Sequence, residues 1–329
     1  MKIIVDAMGG DFAPQAVVEG AVEAAREFDI DIVLVGDEPR IKSLLDKARC
    51  PAGKITVHHA SEIIEMSEPA ATSIRRKKNS SIVVGVNLIK EKAGDAFFSA
   101  GNTGAVVCAS TLMLGLLPGI ERPGIAIICP TLKGVSLIID VGANIDPKPM
   151  HLLQYGLMAD AYFHYILNKP NPRVGLLNIG EEETKGTDFM KETHNLLSSS
   201  HLNFIGNVEG RDLFSGKSDI ILCDGFVGNV ALKVSESLAE AMYEFLKRNL
   251  TSSIMGKLGI GLLKSGLSRF KKETDYSEYG GAPLLGVNGV VIIGHGRSSS
   301  KAIKNAIRFA KEEVERNVNS KIIEEIQQI

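Results

Sequence analysis

The chain has 329 residues, 44% hydrophobic and 23% charged, a balance that supplies a sizeable core and excludes a disordered chain, a collagen-like fibre and a coiled coil. Lys and Arg total 37 against 39 Asp and Glu, a formal charge of −2, so no nucleic-acid partner is expected and any charged partner needs a local patch. Aromatic residues are 5% with no Trp, which leaves no base-stacking platform.

The N-terminal run MKIIVDA (1–7) is too short in its apolar part for a signal peptide and reads as a first core strand ending in MGGD. Apolar residues at helical spacing follow over 14–28, with Pro14 near the start, where proline fits. The run 31–35 ends in GDEP ahead of a second amphipathic stretch at 40–48. Further apolar runs end in small, polar loops: 95–99 in AGNTGA, 134–141 in GAN, 173–179 in GEEETKG, 203–205 in GNVEGRD, 219–224 in GFVGN and 290–293 in GHGRSSS. Runs without alternation, interleaved with helices, predict strands buried on both faces of a mostly parallel α/β sheet. In such sheets the loops at strand carboxyl ends line the ligand crevice. A long helical pattern from 301 to 329 closes the chain. The expected division is one α/β domain from 1–115 plus 288–329 and a second from 116–287, with a cleft between them.

Cys50, Cys108, Cys129 and Cys223 are widely separated, form no CxxC pair, and read as reduced core thiols of a soluble, cytoplasmic protein. No segment offers the roughly 17–25 uninterrupted apolar residues of a membrane span.

AGNTGA leads from a strand into a helix expected over 106–116. Its small residues suit an anion at a helix N-terminus, although the same loop serves as a tight turn capped by Asn102 or Thr103. GRDLFSGKS (210–218) resembles a P-loop but has one residue too many between its glycines and precedes a strand instead of following one. There is no GxGxxG, HExxH or GxSxG. His58 and His59 point apart on a strand, and the other histidines lack ligand spacing, so neither metal nor cofactor is expected. The run Arg75-Arg76-Lys77-Lys78 is a solvated face, a phosphate holder or a steering patch for an acidic protein. The stretch 254–270 (IMGKLGIGLLKSGLSRF) is too charged to span a membrane and reads as an interfacial amphipathic hairpin or as dimer-interface core.

Taken together, VDAMGGDFAP, IRRKKNSS, SAGNTGA, DVGAN, LLNIGEEETKG, FIGNVEGRD, DGFVGNVALK and YGGAPLLG, in this order along essentially the whole chain, resemble the bacterial phosphate acyltransferases of phospholipid synthesis. The resemblance implies transfer of a fatty acyl group from acyl carrier protein to inorganic phosphate, giving acyl phosphate for the downstream glycerol-3-phosphate acyltransferase. It also implies an open α/β/α fold related to phosphotransacetylases and to isocitrate and isopropylmalate dehydrogenases, a homodimer, and peripheral membrane association. The glycine-rich character of 254–266 departs from that pattern and puts the helicity of this stretch in doubt.

On this reading the substrate crevice is expected to hold Asp6, Gly9, Gly10, Asp11, Asn79, Ser99, Gly101, Asn102, Thr103, Gly104, Asp140, Asn144, Asn178, Asn207, Asp224, Gly225 and Gly228. Phosphate is a competent nucleophile and a thioester an activated donor, so the site needs neither a covalent nucleophile nor a metal, only positioning and an oxyanion site. The backbone N–H groups of AGNTGA and DGFVGN, with the Asn102 and Asn229 side chains, are the expected donors. Lys185, Asn229 and His295 are the expected catalytic groups, Lys185 and His295 to orient phosphate or protonate the leaving thiolate. The plainer readings are a solvated loop lysine and a turn histidine. Arg75, Arg76, Lys77 and Lys78 are expected to meet the carrier protein, and Ile254, Leu258, Ile260, Leu262, Leu263 and Leu267 the membrane surface. The alternatives are a phosphotransacetylase-type enzyme acting on short acyl-CoA and a non-catalytic membrane-associated scaffold.

Overall fold

Strands buried on both faces have no use for alternation, and Ile3, Ile4 and Val5 of β1 (Lys2–Asp6) and Phe97 and Phe98 of β4 (Ala96–Ser99) all have 0% exposure. The computed structural model describes residues 1–250 and 280–327. The remaining strands are β2 (Asp31–Gly36), β3 (Ile55–His59), β5 (Gly124–Thr131), β6 (Gly134–Ile139), β7 (Val174–Leu177), β8 (Phe204–Val208), β9 (Ile220–Leu222), β10 (Ala282–Leu285) and β11 (Val290–Ile293). All join one 11-stranded sheet in the order β3-β2-β1-β4-β11-β10-β5-β6-β9-β7-β8.

The sheet is parallel in two blocks. β3, β2, β1, β4 and β11 run together, as do β6, β9, β7 and β8, while β10 and β5 join the blocks through antiparallel pairings on either side. The blocks therefore point in opposite directions, and their carboxyl-end loops lie at opposite edges of the sheet. Helices cover both faces. α1 (Gln15–Phe28) packs Val17, Val18, Ala21 and Ala25 with Ile303, Ala306 and Ile307 of α9 (Ser300–Glu315). α4 (Ser81–Lys90) and α5 (Thr103–Met113) bury Ile82, Val86, Ala105 and Ala109 over the opposite face of the first block. α6 (Pro149–Tyr165) is apolar nearly all round and accordingly is buried, with Tyr155 and Tyr162 at 0% exposure.

Side-chain caps set the helix starts. Asp37 accepts the Arg40 N–H before α2 (Glu38–Lys47), Ser80 that of Val83, Thr187 that of Met190 before α7 (Asp188–Ser198), and Ser299 that of Ala302. Two expectations are corrected. The closing helix is broken at Asn317, whose φ of 50° ends α9 and starts α10 (Val318–Ile326). DGFVGN is not a loop but the start of α8 (Gly225–Leu250), a 26-residue helix, because its glycines serve close packing and not chain reversal. The stretch 254–270, with Ile254, Leu258, Ile260, Leu262, Leu263 and Leu267, lies outside the described residues. Among the described residues no helix is long and apolar enough to cross a membrane.

One buried acid carries a pH signature. Glu313 on α9 is 3% exposed and accepts the Tyr162 hydroxyl at 3.0 Å, and burial raises its carboxyl to about 8. A carboxyl raised on folding contributes stability that is full below its ordinary value and is lost as pH climbs through the folded value. Glu313→Gln is therefore expected to remove a decline in stability between about pH 4.5 and 8. Urea midpoints across that range check this, and parallel wild-type and variant curves would contradict it.

Candidate active site

Two buried carboxylates build the loops around the seam of the sheet. Asp6, at the end of β1, accepts the Ser99 hydroxyl at 2.6 Å and the Met8 N–H at 3.0 Å. Ser99 in turn accepts the Gly101 N–H at 3.0 Å, so one acid holds the loops after β1 and β4 together. Gly9 is required here, since a Cβ would stand 2.6 Å from both Asp6 Oδ2 and Gly101 N. Asp140, after β6, accepts N–H groups from Ile125, Gly142 and Ala143 on Oδ1, and from Asn144 at 2.7 Å on Oδ2. Burial pushes both carboxyls above the ordinary carboxylate value, against these hydrogen bonds.

The two helix starts facing this region differ. In α8 the first turn is already satisfied: Gly225 N–H bonds Asn144 O at 2.8 Å, Phe226 and Val227 N–H bond Asp224 Oδ1, and Gly228 N–H bonds Asp224 O. The expected backbone anion donors of DGFVGN are thus spent internally, and what this first turn offers is the Asn229 side chain. In α5 the cap is Asn102, whose Oδ1 accepts the Ala105 N–H at 3.0 Å. Its Nδ2 donates to the carbonyls of Glu65, Met66 and Glu68 at 3.0–3.2 Å. Asn102 is therefore a clamp on the 65–68 segment and not an anion donor, which corrects its expected role. The first two residues of the helix, Thr103 and Gly104, line the cavity and carry the N–H groups that no helical carbonyl can reach.

The cavity, about 340 Å³, lies over the junction of the blocks. Its apolar floor includes Ile125, Ile127, Ala282 and Ile293. Thr103, Gly104, Asn229 and His295 line it, bringing together four expected residues from both blocks. Asp11 and Gly10 support its rim through Gly296, with the Asp11 N–H on Gly296 O at 2.7 Å. The α8 helix starts beside Asp140 at one edge and reaches the β11 loop at the other. There Lys233 Nζ lies 3.0 Å from His295 Nε2 and 2.9 Å from Glu236 Oε2. Burial first, then the Lys233 charge, holds His295 below its ordinary value, so the ring is neutral near pH 7. Lys233, the last residue of DGFVGNVALK, and Glu236 have no expected role from sequence. A lysine and a glutamate three positions apart are the available signal, and it needs the helix to extend past Asn229.

Other expected residues lie elsewhere. Lys185 is exposed in the loop after β7 and does not line the cavity; its carbonyl accepts the Asn178 amide at 3.2 Å. The Asn207 amide holds the same loop through Glu182 O at 2.9 Å. The Asn144 amide bonds Pro123 O and the Tyr155 hydroxyl, and Asp224 caps α8, so both shape the site without facing it. In the basic run Lys77 is committed to the Ile63 carbonyl and to Glu68, whose carboxyl it pulls down to about 2. Arg75, Lys78 and Asn79 line a separate groove of about 550 Å³ between α3 (Ala70–Arg76), α4 and α5, with Val83, Leu88 and Leu112 in its walls. A wider depression of about 910 Å³ beside Phe12 and Pro39 is lined by neither buried acid, and in it the Gln15 amide donates to Glu19 at 3.1 Å. Among the described residues no group of three His, Cys, Asp or Glu side chains is placed to hold a metal.

Comparison with known proteins agrees with this architecture. The family model described as fatty acid synthesis protein matches residues 1–321. A phosphate acyltransferase from Geotalea uraniireducens is 50% identical over 328 residues, covering 100% of this chain and 95% of the relative. One from Desulfitobacterium hafniense is 52% identical, covering 99% of this chain and 96% of the relative. Among solved structures, a phosphotransacetylase from Streptococcus pyogenes superposes with a TM-score of 0.65 at 17% identity, covering 96% of this chain and 94% of its own. A 4-hydroxythreonine-4-phosphate dehydrogenase from Klebsiella pneumoniae superposes at 0.54 with 13% identity, covering 95% and 99%. These last two show a shared fold.

The junction of α8 with β6 makes a sharp stability test. A Cβ on Gly228 would stand 1.9 Å from the Asp140 carbonyl oxygen, whereas one on Gly210 meets nothing within 4 Å. Gly228→Ala is expected to cost about 3 kcal/mol or more, and Gly210→Ala to stay within about 0.5 kcal/mol of wild type. Chemical denaturation of both variants checks this, and an unperturbed Gly228→Ala would show that α8 can move off Asp140.

Proposed function

The chain belongs to the fatty acid synthesis protein family and is an acyltransferase, and we propose that its donor is a fatty acyl thioester of acyl carrier protein and its acceptor inorganic phosphate. The observation that carries this reading is the meeting, in one cavity, of a helix N-terminus, an asparagine and a neutral histidine over an apolar floor. A phosphate oxygen attacks the thioester carbonyl carbon, the C–S bond breaks, and the proton carried by the phosphate ends on the thiol. The N–H groups of Thr103 and Gly104 and the Asn229 amide are suited to the charge that develops on phosphate and carbonyl oxygens. No acyl-enzyme is required. Burial raises the Cys129 thiol to about 12 and pushes Cys223 up as well, which makes both poor nucleophiles.

The finer assignments belong to the same proposal. Two units, 1–115 plus 288–329 and 116–287 with a cleft between them, are part of this proposal, and the two parallel blocks of the sheet support it. Phe226, Val230, Val234, Leu238, Met242 and Leu246 recur every four residues along α8, all between 47% and 62% exposed. A second copy of the chain, forming a homodimer, suits this stripe. The apolar and basic composition of 254–270 suits a membrane surface, where an acyl phosphate would pass to a glycerol-3-phosphate acyltransferase.

Purified protein is expected to release thiol from acyl-[acyl carrier protein] only when inorganic phosphate is present, and far more slowly from short acyl-CoA. Phosphate-independent release, or preference for short acyl-CoA, overturns the reading. Asn229→Ala is expected to raise the barrier by about 2–4 kcal/mol, read as kcat/KM; wild-type kinetics would move the oxyanion site elsewhere. For the carrier, reversal of Arg75 and Arg76 to Glu is expected to lower kcat/KM for the acyl carrier protein substrate and flatten its salt dependence. An equal loss with a small thioester would contradict a carrier role.

A further inference from the structure

Lys233 lies four residues beyond the DGFVGN signature on an exposed helix face, where a lysine ordinarily needs no explanation. Its surroundings supply one. An ammonium has three N–H donors. One is taken by Glu236 Oε2 at 2.9 Å, and a second points to His295 Nε2 at 3.0 Å. Glu236 is only 16% exposed, so this carboxylate is fixed and not a mobile surface partner. His295 also has the Arg297 backbone N–H 3.2 Å from Nδ1. A neutral imidazole accepts through one nitrogen only. Nε2 faces the charged donor at the shorter of the two distances, and this contact joins the ring to Lys233. Among the described residues, Lys233 and Glu236 from α8, Arg297 from its own loop and Asp11 from the loop after β1 are charged groups that act on this ring.

We propose that Lys233 is the cation of the phosphate site, with Glu236 and His295 as the positioning residues that aim it. With two donors tied, the third is left for the cavity that Lys233 shares with Thr103, Gly104 and Asn229. A fixed ammonium there supplies the full positive charge that helix N–H groups and an amide lack. The ligand is a tetrahedral oxyanion, inorganic phosphate or the phosphoryl group of the acyl phosphate product. His295 on this account acts through Lys233 and performs no proton transfer, which departs from the role expected for it from sequence. The inference rests on the phosphate-dependent reaction proposed above.

The test is calorimetric titration of inorganic phosphate into the whole protein, paired with kinetics in which phosphate and thioester are varied separately. Lys233→Met is expected to weaken phosphate binding and raise the phosphate KM at least tenfold, with the thioester KM within about twofold. Glu236→Gln should raise the phosphate KM severalfold. His295→Gln, which restores an acceptor near Nε2, should keep the phosphate KM near wild type, while His295→Phe raises it. Lys233→Gln serves if the Met variant fails to fold. A wild type that releases thiol without phosphate and binds none overturns the underlying reaction. Phosphate binding unchanged in both Lys233 variants, with wild-type binding intact, overturns this assignment alone. A loss of kcat in His295→Gln equal to that in His295→Phe makes His295 an acid or base and overturns its positioning role.

Discussion

Everything at the seam depends on the Asp140 carboxylate. A buried carboxylate costs several kcal/mol in lost hydration, and it is tolerated where hydrogen-bond donors replace the water. Asp140 takes four backbone N–H groups, one from β5 and three from its own loop, and so freezes the turn after β6. Its backbone carbonyl is equally occupied, with the Cys223 thiol at 3.3 Å and Gly228 pressed against it. The start of α8 is thereby pinned in position and direction. Asp6 does the corresponding work in the other block, tying the loops after β1 and β4 through Ser99. Both acids are buried and hydrogen-bonded within the protein. They are the rigid parts against which the cavity is measured.

From that fixed start α8 does what the sheet cannot. The two parallel blocks point in opposite directions, so loops from one edge alone would leave half of the site unbuilt. The helix carries side chains from the Asp140 edge toward the β11 loop, placing Asn229 near Gly142 and Lys233 beside His295. Acyl transfer between a thioester and phosphate asks for little covalent chemistry and much charge placement, which a long helix held at one end and ion-paired along its length provides. The same helix, continued to Leu250, presents its apolar stripe outward, so the element that lines the cavity also carries an exposed apolar face.

Much of this was legible in the sequence, and the failures share a cause. Buried strands, the AGNTGA and DVGAN turns and the crevice at strand ends follow from apolar runs that end in small residues, a local signal. DGFVGN reads as a loop because glycine marks a turn in most contexts, while here Gly225 and Gly228 permit helix-to-backbone contact that only the tertiary structure creates. Asn102 has the chemistry of an anion donor, but its amide is spent on carbonyls some 35 residues away. Lys185 shares a glycine-rich loop with apparent chemistry and yet does not line the cavity. Lys233 and Glu236 carry no local signal for the converse reason, since their setting comes from His295, 62 residues downstream of Lys233.

The central claim is that the anion binds at the junction of the blocks, and a crystal structure of the protein grown with inorganic phosphate tests it most directly. The account predicts tetrahedral density within hydrogen-bond reach of the Thr103 and Gly104 N–H groups, the Asn229 amide and Lys233 Nζ. Phosphate bound instead at the 178–187 loop beside Lys185, or in the groove of Arg75 and Lys78 with the cavity empty, would contradict it.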